Sequence, residues 1–215
     1  MIPVAPAAEP ATFHEKVREP GRRFLAKKPQ PSTKEWARNA CWTCCISDLM
    51  RSYHCICAYS CHRIAPDTGA PSVDHFVPKS ESPQDAYEWL NYRLAAARLN
   101  TRKGRRKVLD PFTIQPGTFA IHFPSLQVIP GPACQDEPEL ANQVRESCRI
   151  LGLNDETTCI ANRQEYVWMY CAEQMKFQML QEHAPFLAGE MENAGLADLQ
   201  AMRAKMRWPF ERGER

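Results

Sequence analysis

Four polar side chains fall in an order that suits hydrolysis of a phosphodiester. Asp74 and His75 are adjacent, Asn91 follows His75 by 16 residues (75 to 91), Asn100 follows by nine more (91 to 100), and Lys103-Gly104 close the run. Cleaving a phosphodiester needs a base to take a proton from water, a hard cation to neutralise charge on the phosphate and leaving oxygen, and fixed donors to hold the base. Asp74 and Asn100 carry oxygen ligands of the kind magnesium or manganese prefers. An unperturbed histidine titrates near neutrality, so His75 is the natural base. Asn91 carries an amide able to fix the loop that follows His75. An Asp-His dipeptide alone is common and a lone histidine is usually structural; the ordered set is what favours chemistry over coincidence.

These residues need elements to hold them. Ser72–Val77 reads as a strand ended by Pro78, the second of a hairpin closed by Pro66-Asp67-Thr68-Gly69. Residues 84–99 are expected to be helical, with Tyr87, Leu90, Leu94 and Ala97 at helix-like spacing. Residues 55–104 therefore read as strand, turn, strand, loop, helix. Upstream, Ser32 and Glu35 have capping-box spacing and open a helix expected to run to about Met50. Residues 1–31, rich in Pro, Ala and charge, read as a mobile arm or surface strap. Downstream, Thr118–Ile129 suggests one or two short strands, and residues 138–207 suggest helices broken at Gly152, Asn154 and Pro185. The expected organisation is an arm (1–31), a core with its preceding helix (32–112), and short strands with a helical region (113–215).

The stretch Cys57–Gly104 resembles the HNH, or ββα-metal, nuclease family. The family pattern is Asp-His on a strand, a mid-motif Asn, then a helical His or Asn followed by Lys, and Asp74-His75, Asn91, Asn100 and Lys103 match it. The helical position is Asn, as in the HNH domain of RNA-guided CRISPR nucleases. The resemblance implies an α+β fold with a ββα-metal core and one Mg2+ or Mn2+ on Asp74 and Asn100. It implies His75 as general base, Asn91 as the residue orienting it, and products with 5′-phosphate and 3′-hydroxyl ends. In outline the whole chain resembles small HNH proteins of bacterial anti-phage systems, of Septu and retron-associated type. This implies a DNA endonuclease acting in antiviral defence, controlled by a partner such as an ATPase or other sensor subunit. The rival readings are a non-catalytic nucleic-acid-binding or scaffold subunit that keeps the fold, and an RNA-directed nuclease.

The chain departs from the family at its cysteines. Many HNH proteins brace the hairpin with zinc on two Cys pairs. Here the first pair is stretched, Cys57 to Cys61, and Ala96 and Leu99 stand where the second would be. Either apolar packing replaces the zinc, which is the favoured reading, or Cys57 and Cys61 recruit Cys41, Cys44 or His62.

Seven basic residues run from Arg93 to Lys107 (Arg93, Arg98, Arg102, Lys103, Arg105, Arg106, Lys107) with no acid between them. A charge run is usually a solvated face. This one leaves the end of the proposed catalytic helix, which favours phosphate contacts by Arg98, Arg102, Lys103, Arg105, Arg106 and Lys107. A second basic set, Arg18, Arg22, Arg23, Lys27 and Lys28, lies on the arm and could meet nucleic acid or an acidic partner. The net charge is only +2, so any grip on nucleic acid must be local. With no 18-residue apolar run and no apolar segment behind a basic start, neither a membrane span nor a secretory leader is expected, and the expected location is cytoplasmic.

Overall fold

The computed structural model describes residues 1–65 and 68–209 of a mixed α+β chain. The chain divides into two compact units. One comprises residues 5–57 and 64–106; the other comprises residues 1–4, 58–63 and 107 onward.

In the first unit the amino-terminal segment is a packed helix rather than an arm. One wide turn, His14–Arg18, leads directly into α1 (Glu19–Lys27). Phe13, Val17, Gly21 and Phe24 recur on one helical stripe, and Phe13 and Val17 are buried. Gly21 is required there: a Cβ would meet the Tyr87 ring at 2.0 Å. Pro20, which lacks an N–H, is accommodated by the wide turn, in which the Glu19 amide donates five residues back to the His14 carbonyl. The basic residues of this segment are largely matched by local acids. Arg18 pairs with Glu9 and Glu88, Arg22 with Glu88, Arg23 with Glu19, and Lys28 with Glu35.

The Ser32–Glu35 capping box is present and opens α2 (Thr33–Arg38). The helix does not continue to Met50. At Asn39 the side-chain Nδ2 donates to the Glu35 carbonyl at 2.9 Å, taking the acceptor that the next helical amide would use. A tight turn at Cys41–Cys45 and then α3 (Ile46–Ser52) follow.

β1 (Pro71–His75) pairs antiparallel with β2 (Tyr92–Ala96), so that Asp74 stands opposite Arg93 and His75 opposite Tyr92. The partner of the Asp-His strand thus lies after it in the chain, not before it. Of the expected closing turn, Pro66 and Asp67 lie outside the described residues. The helix expected over 84–99 is instead two short turns (Gln84–Tyr87, Trp89–Asn91) and β2. Tyr92 to Ala95 are all buried, and a strand covered on both faces shows no alternation to separate it from a helix. α4 (Ala97–Lys103) follows β2 without a loop, its first amide satisfied by the Ala70 carbonyl at 2.9 Å. It ends at Gly104, whose φ of 54° and ψ of −120° suit glycine alone. The observed order is strand, loop, strand, helix, and both α3 and α4 pack on the two strands.

In the second unit, the stretch expected to hold one or two short strands forms two, β3 (Phe119–His122) and β4 (Gln127–Pro130), paired antiparallel. The helices that follow are α5 (Pro138–Leu151), α6 (Ala161–Cys171), α7 (Phe177–His183), α8 (Pro185–Asn193) and α9 (Leu199–Met206). Gly152 and Pro185 mark breaks as expected. Arg163 is buried and donates to the Leu126 and Leu153 carbonyls at 2.7 and 2.6 Å, tying α6 to the chain around it. No helix among the described residues is long and apolar enough to cross a membrane.

Candidate functional site

Asp74 and His75 end β1, and α4 brings Asn100 and Lys103 to the same strand. Asp74, His75 and Asn100 line one cleft of about 630 Å³ within the first unit.

His75 is held by aromatic edges and one carbonyl. Its ring centroid lies 4.7 Å from Trp42 and 5.3 Å from Tyr92, both nearly perpendicular to it. Its Nε2 is 3.0 Å from the Ala86 carbonyl, which also accepts from the Tyr92 hydroxyl at 2.8 Å. A carbonyl can only accept, so Nε2 carries the proton and Nδ1 the lone pair. Burial, with help from Lys79 and Lys103, pulls the His75 pKa down to about 3, so the ring is neutral with Nδ1 unprotonated at pH 7, but it is a weaker proton acceptor than the near-neutral imidazole the sequence leads one to expect.

Asn91 grips the loop after His75. Its Oδ1 accepts from the Val77 amide at 2.7 Å, and its Nδ2 donates to the Val77 and Asp85 carbonyls, each at 3.0 Å. The Phe76 amide donates to the Asn91 carbonyl at 2.9 Å. Asn91 therefore closes both ends of the excursion between β1 and β2, and it reaches His75 only through the backbone.

Asn100 Nδ2 donates to Ser72 Oγ and to the Val73 carbonyl, both at 3.1 Å, which fixes Oδ1 as the atom left to accept. Asp74 and Asn100 would offer one carboxylate and one amide oxygen, ligand types that magnesium or manganese accepts with water completing the shell. Among the described residues no three His, Cys, Asp or Glu side chains converge. Cys57 and Cys61 are both buried, in different units, and Cys57 Sγ accepts from the Ala96 amide at 3.4 Å.

Two members of the basic run are not surface residues. Lys103 is 1% exposed; its Nζ donates to Asp74 Oδ1 and the His75 carbonyl at 3.0 Å and to the Phe76 carbonyl at 3.1 Å. It cannot reach a phosphate from there, which corrects its expected role. Arg93 is also buried and donates to the Leu90 and Tyr92 carbonyls. Arg98, Arg105, Arg106 and Lys107 are exposed and Arg102 is half-buried.

Sequence reasoning missed Trp42, Tyr92 and Lys79. Lys79 lines the cleft with its Nζ 4.5 Å from the Trp42 ring centroid and 5.7 Å from that of Trp36. Its nearness to His75 in the chain was a usable signal. Trp42, 33 residues before His75 (42 to 75), gave none.

No protein-family model, curated protein or solved structure matches the chain.

Proposed function

We propose that this chain is a metal-dependent endonuclease of HNH type that hydrolyses DNA phosphodiesters. What carries this reading is the strand-loop-strand-helix unit, with Asp74-His75 at the end of the first strand and Asn100 on the helix lining the same cleft.

In this reading His75 Nδ1 takes the proton from the attacking water, its ring fixed by Trp42, Tyr92 and the Ala86 carbonyl. Asp74 and Asn100 are the residues that would hold a magnesium or manganese ion, which would supply charge neutralisation at the phosphate and leaving oxygen. Asn91 and Lys103 hold the backbone at and just after His75. Arg105, Arg106 and Lys107, exposed beyond α4, supply sequence-independent grip on the polymer.

A second reading, a nucleic-acid-binding or scaffold subunit without activity, is favoured by one contact: Lys103 already occupies an oxygen of Asp74. Supercoiled plasmid and a folded RNA incubated with magnesium, wild type beside His75→Ala, separate these readings. The nuclease reading expects plasmid cleavage by the wild type alone. Intact plasmid under all divalent-ion conditions would favour the scaffold, and cleavage of the RNA alone would reassign the substrate.

A further inference from the structure

The cleft holds more positive charge than its acid can balance. Asp74 is already engaged by Lys103, yet Lys79 and Arg105 line the same cleft. Among the described residues Lys79 Nζ makes no hydrogen bond or ion pair. It is half-buried against two indole rings, Trp42 and Trp36. An ammonium on an aromatic face keeps its charge but loses part of its water, and it is pre-positioned for an anion. The Trp42 ring that carries it is also the ring that abuts His75, so one side chain sets the places of both groups.

We infer that Lys79, seated on Trp42 and Trp36, is the contact for the phosphate presented to His75, forming a phosphodiester-binding subsite inside the cleft. This rests on the nuclease reading for its ligand. It differs from the grip assigned to Arg105, Arg106 and Lys107 in being tied to the reacting position. The ligand is the anionic oxygen of a nucleic-acid backbone, and the contact carries no base specificity, since only the phosphate is met.

The test is binding of a fluorescein-labelled DNA duplex, in EDTA, across a salt series by wild type, Lys79→Met and Lys79→Arg. Each protein is then assayed for cleavage of the same duplex in magnesium. Losing a charge-assisted contact is expected to weaken binding by roughly tenfold or more. It should also reduce the log–log salt slope by about 0.9, the effect of one phosphate contact on duplex DNA. Lys79→Arg should restore the slope, which a merely structural lysine would not require. An unchanged slope in Lys79→Met overturns the inference, whatever the cleavage result. A Lys79-dependent slope with no cleavage by the wild type in magnesium leaves the subsite standing and removes the nuclease reading. Cleavage by the wild type with an unchanged slope in Lys79→Met does the reverse. Lys79→Met that melts well below the wild type is replaced by Lys79→Gln in the same series, and the same slope criterion decides.

Discussion

Lys103 Nζ lies 3.0 Å from Asp74 Oδ1, with 1% of the lysine side chain and 2% of the aspartate exposed. The pair joins the end of α4 to the end of β1, and two further bonds from the same ammonium to the His75 and Phe76 carbonyls carry the tie past the strand. Burying two charges is costly, and removing one partner from such a pair typically costs about 3–5 kcal/mol, because the other charge stays in low dielectric. Lys103→Met should therefore destabilise the protein by roughly that amount. Adding Asp74→Asn to Lys103→Met should recover a substantial part of the loss. Urea denaturation of the two single variants and the double checks this; strictly additive losses would show that the two residues are not coupled.

Asn91→Ala removes three side-chain bonds to the loop after His75. At about 0.5–1.5 kcal/mol for each typical bond, the loss should be roughly 2–4 kcal/mol. Hydrogen exchange at the Val77 amide should accelerate in the variant, because its acceptor is gone. Cleavage should fall less than in His75→Ala, since Asn91 touches the base only through the backbone. A Val77 amide that remains fully protected would show that another group holds the loop.

The protein should lose stability in mild acid. His62 is buried, its Nδ1 is 3.0 Å from Asn162 Nδ2, and burial, aided by Arg163, pulls its pKa to about 3. Unfolding returns it to about 6.5. Between these values the unfolded chain binds a proton that the folded chain does not. Stability is thus full above about pH 6.5 and falls as pH drops toward 3, with a slope approaching about 1.4 kcal/mol per pH unit for each such histidine. His75, also pulled down to about 3, acts in the same direction. Urea midpoints measured from pH 8 to pH 4 should show this, and His62→Gln should flatten the slope. Identical slopes in variant and wild type would mean that His62 is not held neutral.

Replacing Arg105, Arg106 and Lys107 with alanine should weaken binding to unrelated DNA sequences about equally. It should also flatten the salt dependence by roughly 0.9 per lost phosphate contact on duplex DNA. Turnover at saturating DNA should fall much less than in His75→Ala. Unchanged affinity and slope would make these residues a solvated face.

The sequence was informative where chemistry is local and uninformative where burial decides. The capping box at Ser32–Glu35 and the short strands within 118–129 follow from neighbouring residues and were legible, though the pairing of β3 with β4 was not. β2 was not, because Tyr92–Ala95 are covered on both faces and carry no period of two. Lys103 read as a surface cation because a charge run gives no sign that one member turns inward to a carboxylate 29 residues away (74 to 103). The segment 13–27 read as an arm because its Pro and charge outweighed a stripe of only four residues, Phe13, Val17, Gly21 and Phe24. The spacing of Asp74, His75, Asn91 and Asn100 is visible in the sequence. Asp74, His75 and Asn100 line one cleft, while Asn91 stands behind the loop.

Everything proposed for the cleft turns on whether His75 activates water at a phosphodiester beside Asp74 and Asn100. The most direct measurement is end analysis of a radiolabelled DNA duplex after incubation with magnesium, for wild type and His75→Ala purified side by side. Fragments with 5′-phosphate and 3′-hydroxyl ends are expected from the wild type, none when EDTA replaces magnesium, and none from His75→Ala, which should retain its fold and DNA affinity. The same fragments at a similar rate from His75→Ala would contradict that role for His75.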